Sequence, residues 1–181
     1  IASIHPHLHV TLRPEVKLIG NIHGNELSTG EILLRFLEHL LANPDRDKRV
    51  DEILNNSRVH FLVSMNPDGT EISARESCSS KVGRNNSNKV DLNRNFPDAF
   101  FCNQAHIEPE TLAVLDWTDS MHFLLSASFH TGAMVVSYGY ENWLGASSAT
   151  MPKYVPTDYD AELRYFAKIY SMNHVTMSMA S

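Results

Sequence analysis

The stretch VKLIGNI, residues 16–22, runs into a change of hydrophobic period, and that change narrows what the chain can fold into more than any other feature. Val16, Leu18 and Gly20 alternate with Lys17, Ile19 and Asn21, which predicts a largely buried strand. Over residues 27–42 the spacing becomes helical, with Leu27, Leu33, Leu34, Leu37, Leu40 and Leu41 in a stripe that Asn43-Pro44 ends. His23-Gly24-Asn25-Glu26 therefore occupies the corner where a strand hands over to a helix.

The pattern repeats along the chain. A short helix around Val50, Ile53 and Leu54 leads into RVHFLVSM, residues 58–65, a strand stopped by the turn Asn66-Pro67-Asp68-Gly69. A polar, asparagine-rich stretch covers residues 70–95. Helical spacing returns from Glu110 to Trp117, buried strands are expected at 123–129 and 134–138, and a final helix runs from about Asp158 to Met172. Strands separated by helices predict an α/β fold, its sheet covered by helices on both faces. With 181 residues, 43% of them apolar, the chain is long enough for one good core, and one domain over 1–181 is expected.

Charge removes several function classes. The formal net charge is −6, which gives no basic field for phosphate backbones or an anionic membrane, so no nucleic-acid partner is expected. No apolar run approaches the length needed to cross a bilayer, and IASIHPHLHV lacks the basic flank and apolar block of a signal peptide. The chain therefore reads as soluble and already processed or truncated. Cys78 and Cys102 are too few for a disulfide scaffold, and neither belongs to a CxxC pair. Most of the ten histidines, His5, His7, His9 and His39 among them, read as scattered surface residues.

Two histidines stand apart because each follows a strand-like run, and sites in open α/β sheets collect at the carboxyl ends of strands. They are His23 and His130. Neutral imidazole and ionised carboxylate are usual zinc ligands, and a catalytic zinc takes three protein groups while leaving a position open. His23, Glu26 and His130 supply that set, the first two on one turn and the third from a distant strand. An HxxE pair alone is common by chance. A second informative stretch is VDLNRNFPD, residues 90–98, preceded by VGRNN at 82–86. Arginine offers a planar fork of donors and asparagine adds an amide, a combination suited to gripping a carboxylate. A solvated loop is the plainer reading of the same residues.

Taken together, GNIHGNE, SMNPDG, VGRNNSNKVDLNRNFPD, the QAHIEPET region and SASFHTGAMVVSY resemble the zinc metallocarboxypeptidases, in the regulatory branch that includes carboxypeptidases D, E, M and N. The resemblance implies a mixed, mostly parallel sheet and one bound zinc held by His23, Glu26 and His130. It implies that Arg84 stabilises the oxyanion and that Asn93 with Arg94 holds the terminal carboxylate of a peptide or protein substrate. Glu141 falls where the branch carries an aspartate in the pocket for the departing side chain, which points to Lys or Arg there; a surface glutamate is the competing reading.

Departures from the family accompany the matches. His130-Thr131-Gly132 stands for His-Gly-Gly, Tyr138-Gly139 for Tyr-Pro, and Thr29-Gly30-Glu31 for Gly-Arg-Glu. Thr131, β-branched where glycine is usual, is expected to crowd the metal. The resemblance also implies truncation at both ends: the family's general-base glutamate lies in a later segment, and Glu141 and Glu162, the only glutamates after His130, match neither that position nor its role. Losing one such acid/base group costs ~10²-fold to 10⁴-fold in rate, so this stretch alone is expected to be nearly inactive. A non-catalytic relative that binds zinc or peptide termini is the alternative. By resemblance the protein is secreted or in the secretory pathway, with sequons at Asn55 and Asn85, and Cys78 pairs either with Cys102 or with a cysteine outside these residues.

Overall fold

A computed structural model describes residues 2–4, 13–43, 47–74, 80–100, 106–143 and 153–179. Cys78 and Cys102, and His5, His7 and His9, lie outside the described residues. The described elements are β1 (Ala2–Ile4), β2 (Glu15–Ile19), α1 (Leu27–Ala42), α2 (Lys48–Asn56), β3 (Arg58–Leu62), α3 (Pro67–Ser73), α4 (Pro109–Asp119), β4 (Phe123–Ser128) and α5 (Asp160–Met172), with short 3-10 turns at Leu92–Arg94 and Met177–Met179.

Four strands form one sheet in the order β1-β3-β2-β4. β2 runs parallel to both β3 and β4, and only β1 is antiparallel, which is the mixed, mostly parallel arrangement expected. The pleat separates the strand residues into two cores. Leu18 of β2 with Val59 and Phe61 of β3 packs against Leu33 and Leu40 of α1 and Val50 and Leu54 of α2. Ile19 instead joins Ile22, Met65, Leu92 and Val114 of α4 on the other face. Burying each such side chain stabilises the fold by roughly 1.5–3 kcal/mol, so the sheet is held from both sides by helices.

Several expectations are corrected. The six leucines of α1 do not form one buried stripe: Leu33 and Leu40 are fully buried, whereas Leu27, Leu34 and Leu41 are exposed. Leu34 and Leu41 each follow a buried leucine by one residue, about 100° around the helix, and so leave the contact face. The inward face is completed by Thr29 and Gly30. The segment 66–69 is not a turn but the start of α3; Asn66 accepts the Gly69 N–H at 2.9 Å and Pro67 takes the first turn of the helix. Asn, Pro and Asp serve turns and helix starts by the same hydrogen-bond chemistry.

The strands end earlier than the apolar runs that contain them. β2 stops at Ile19 and β3 at Leu62, although backbone bonds from Gly20 to Leu62 and from Met65 to Gly20 keep the two segments together. β4 is not buried: its residues alternate between half-buried and exposed, and Leu124 is 75% exposed. MVVSY, residues 134–138, forms no strand; Met134 and Val135 are exposed, because a β-branched run becomes a strand only against a partner that receives it.

The described residues divide into two compact units, one through Phe96 and again from His106 to Thr131, the other comprising 97–105 and 132–181. The second contains α5. There Asn142 donates to Asp98 at 3.0 Å, the Phe100 and Tyr140 rings meet edge to face at 5.2 Å, and Arg164 donates to Asp160 and Tyr154. Among the described residues, no helix is long and apolar enough to cross a membrane.

Candidate metal centre

β2 ends by turning sharply. Asn21 adopts a left-handed φ of 53°, its N–H donates to Thr29 Oγ1 at 2.9 Å, and its side-chain amide donates to the Glu26 carbonyl at 3.1 Å. Thr29 donates its own hydroxyl to that same carbonyl at 2.8 Å. Gly24 is required here, since a Cβ on it would lie 2.3 Å from the Gly69 backbone, whereas one on Gly30 would lie 2.4 Å from Asn21 Oδ1 and push that side chain aside.

With the corner fixed, His23 and Glu26 are buried together. Glu26 stands at the N-cap of α1 but makes no side-chain cap bond; its carboxylate is turned to the imidazoles instead. Parallel pairing of β2 with β4 brings their carboxyl ends side by side, and the Phe129 N–H continues that pairing to the Ile19 carbonyl at 2.9 Å. His130 follows directly. Its Nδ1 lies 3.0 Å from Glu26 Oε2, while His23 Nδ1 lies 3.1 Å from Glu26 Oε1, and the two imidazole rings are 5.0 Å apart.

One donor atom from each of His23, Glu26 and His130 falls within 4.8 Å of the others, the one group of three among the described residues that is arranged in this way. Burial pushes the Glu26 carboxyl up, but hydrogen bonds from His130 and His23, together with their charge, outweigh it and hold the group down to about 2. The helix N-terminus behind it also favours the anion. Two nitrogens and an ionised oxygen facing one point fit a zinc ion's preference for three protein groups. The His130 side chain is 33% exposed where those of its two neighbours are buried, so one side of the cluster is open. Thr131, expected to crowd the position, is exposed, and the donor atoms converge beside it.

Asp91 was not singled out from the sequence, and the structure gives it a central place. Its Oδ1 lies 3.1 Å from His23 Nε2, the nitrogen turned away from Glu26. Its Oδ2 accepts from Arg84 through Nη2 at 2.8 Å and Nε at 3.2 Å, and the Asn93 N–H donates to Oδ1 at 3.0 Å. Burial pushes the Asp91 carboxyl up, but the Arg84 hydrogen bond and the facing charges pull it below the usual range. A carboxylate on the outer nitrogen of a ligating histidine sets the ring's orientation and tautomer. The signal lay in VDLNRNFPD, where the asparagines and arginine drew the reading away from the aspartate.

Arg84 is thus one side chain removed from His23. Asn93 and Arg94 lie on the 3-10 turn that Asp91 caps, anchored by the fully buried Leu92. Asn93 is half-buried and Arg94 exposed. Glu141 belongs to the second unit, on an exposed bend.

A family model for zinc carboxypeptidases matches residues 1–181. Human carboxypeptidase D is 41% identical over 175 residues, which cover 97% of this chain and 12% of that protein. The rat carboxypeptidase N catalytic chain is 39% identical over 197 residues, covering 95% and 43%. The crystal structure of thrombin activatable fibrinolysis inhibitor superposes with a TM-score of 0.75 at 17% identity, over 94% of this chain and 46% of that one, a likeness of fold. The chain therefore spans less than half the length of these relatives.

Proposed function

The chain belongs to the zinc carboxypeptidase family, and from that premise we propose that its parent protein removes single residues, Lys or Arg, from the C-termini of peptides or proteins. The observation that carries this reading is the convergence of His23, Glu26 and His130 at the carboxyl ends of two neighbouring parallel strands. On this reading the 181 residues are part of one catalytic domain and hold one zinc.

A zinc ion bound by these three side chains supplies a Lewis acid for the scissile carbonyl and lowers the pKa of a water. The protein's own groups do the rest. Arg84, fixed by two bonds to Asp91, presents a cation to the carbonyl oxygen, stabilising charge that develops only in the transition state. Asn93 and Arg94 grip the terminal carboxylate, which restricts cleavage to the last residue. Glu141 draws a cationic side chain by charge. Sequons at Asn55 and Asn85 favour a secretory or extracellular protein, with Asn55, at the end of α2, the better glycan acceptor.

The test is mass spectrometry of peptides differing only in the last residue, incubated with the zinc-loaded parent protein. Loss of one terminal Arg or Lys, with Phe or amidated termini spared, is expected; cleavage inside the peptides, or none of any peptide, would overturn the reading.

A further inference from the structure

Glu108 occupies the N-cap position of α4, yet its side chain makes no cap bond to that helix. It is only 2% exposed, and a carboxylate so withdrawn from water costs free energy unless its lone pairs are filled. They are filled from the asparagine-rich loop. The side-chain amides of Asn86 and Asn88 both donate to Oε2 at 2.7 Å, while the exposed His106 imidazole lies 3.3 Å from Oε1. One buried acid thus ties down two points of a loop that lie 22 and 20 residues before it.

That loop carries the side chains assigned to the substrate. Arg84 stands two positions before Asn86, and Asn93 and Arg94 follow. Between them the backbone is tightly folded: the Asn86 N–H donates to the Val90 carbonyl at 3.0 Å and the Val90 N–H returns to Asn86 Oδ1 at 3.0 Å, with Lys89 held at a left-handed φ of 64°. Such backbone away from glycine persists only where the surroundings enforce it. The Asn86 side chain gives its oxygen to the loop and its nitrogen to Glu108, so the loop's shape and its seat on α4 are coupled.

The far flank is seated differently. Asn95, directly after Arg94, accepts the Glu108 backbone N–H at 2.8 Å and donates to the His106 carbonyl at 3.0 Å. A change of side chain at 108 leaves both bonds available and removes the anchor on the Arg84 side alone. On the carboxypeptidase reading, which this inference rests on, the two flanks do different work. Arg84 meets charge that develops only in the transition state, whereas Asn93 and Arg94 hold a carboxylate already present in the bound substrate. We infer that Glu108 is a positioning residue for the cleavage step, fixing through Asn86 and Asn88 the stretch of loop from which Arg84 reaches the scissile carbonyl.

Steady-state cleavage of a peptide ending in Arg by the zinc-loaded parent protein and its Glu108→Ala and Glu108→Gln variants, with rates expressed per zinc-bearing chain, tests it. In Glu108→Ala, kcat should fall about 10-fold to 100-fold, the cost of misplacing a reacting group by about 1 Å. KM should stay within about twofold, because losing an interaction made only in the transition state lowers kcat and kcat/KM alike. Glu108→Gln keeps an oxygen for the two asparagine amides and should recover most of the lost rate. If Glu108→Ala does not fold, Asn88→Ala, at an exposed position, removes one of the two bonds and should lower kcat by a smaller factor at the same KM. An unchanged kcat in the alanine variant that folds, a loss carried by KM instead, or a Gln variant as slow as the Ala one would overturn the role of Glu108 and leave the carboxypeptidase reading standing. An unsubstituted protein that cuts no peptide would overturn both.

Discussion

His130 and Glu26, 104 residues apart in sequence, meet at 3.0 Å between Nδ1 and Oε2. The contact exists because β2 and β4 are parallel neighbours whose ends coincide, and it turns the δ nitrogens of two histidines toward one carboxylate.

Asp91 holds the outer nitrogen of His23 and the guanidinium of Arg84 at once. Replacing it, Asp91→Asn, should weaken zinc affinity roughly 10-fold to 100-fold, the usual cost of a lost orienting partner. Competition against a chelator of known affinity measures this. Affinity equal to that of the unsubstituted protein would show that His23 is oriented by other means.

The correction to α1 makes a paired stability prediction. Leu33→Ala should cost about 2–5 kcal/mol, since Leu33 is fully buried between the helix and the sheet. Leu34→Ala, one residue on and 47% exposed, should change stability by no more than about 0.5 kcal/mol. Chemical denaturation of the two variants decides; comparable losses would contradict the helix's orientation.

Much of this was legible beforehand, for identifiable reasons. The change of period at the HGNE corner marks a helix over 27–42, and α1 is Leu27–Ala42. Apolar runs reveal where strands lie but not how far a neighbour follows them, so β2 and β3 proved shorter than their runs. Burial of β4 was overread because periodicity cannot report whether a strand has a neighbour on its far edge. The three side chains that converge could be picked out because two share a turn and the third follows a strand. Asp91 was passed over because it touches His23 across 68 residues, a relation that local spacing does not encode. The same limit applies to α3, whose N-cap Asn66 and first three residues carry chemistry common to turns and helix caps.

Acid sensitivity should trace in part to Glu108. This side chain is buried, and both Asn86 and Asn88 donate to its Oε2 at 2.7 Å. Those bonds, Asn88 first, hold its pKa below the ordinary carboxylate value. A carboxyl lowered by folding stabilises the native state above its unfolded pKa, and the contribution is lost as pH falls through the folded one. Glu108→Gln keeps an oxygen for the two amides and removes the titration. Its melting temperature should thus fall less steeply than that of the unsubstituted protein on acidification below about pH 4.3, the ordinary glutamate value. Parallel slopes would place the acid sensitivity elsewhere.

The central claim is that His23, Glu26 and His130 together hold one zinc ion. Its most direct test is zinc content by elemental analysis, with folding checked by circular dichroism, for the purified protein and its His130→Ala variant. The account predicts about one zinc per chain in the first and a loss of stoichiometric zinc in a still-folded second, because two ligands make a weak site. Full zinc retained without His130 would contradict it.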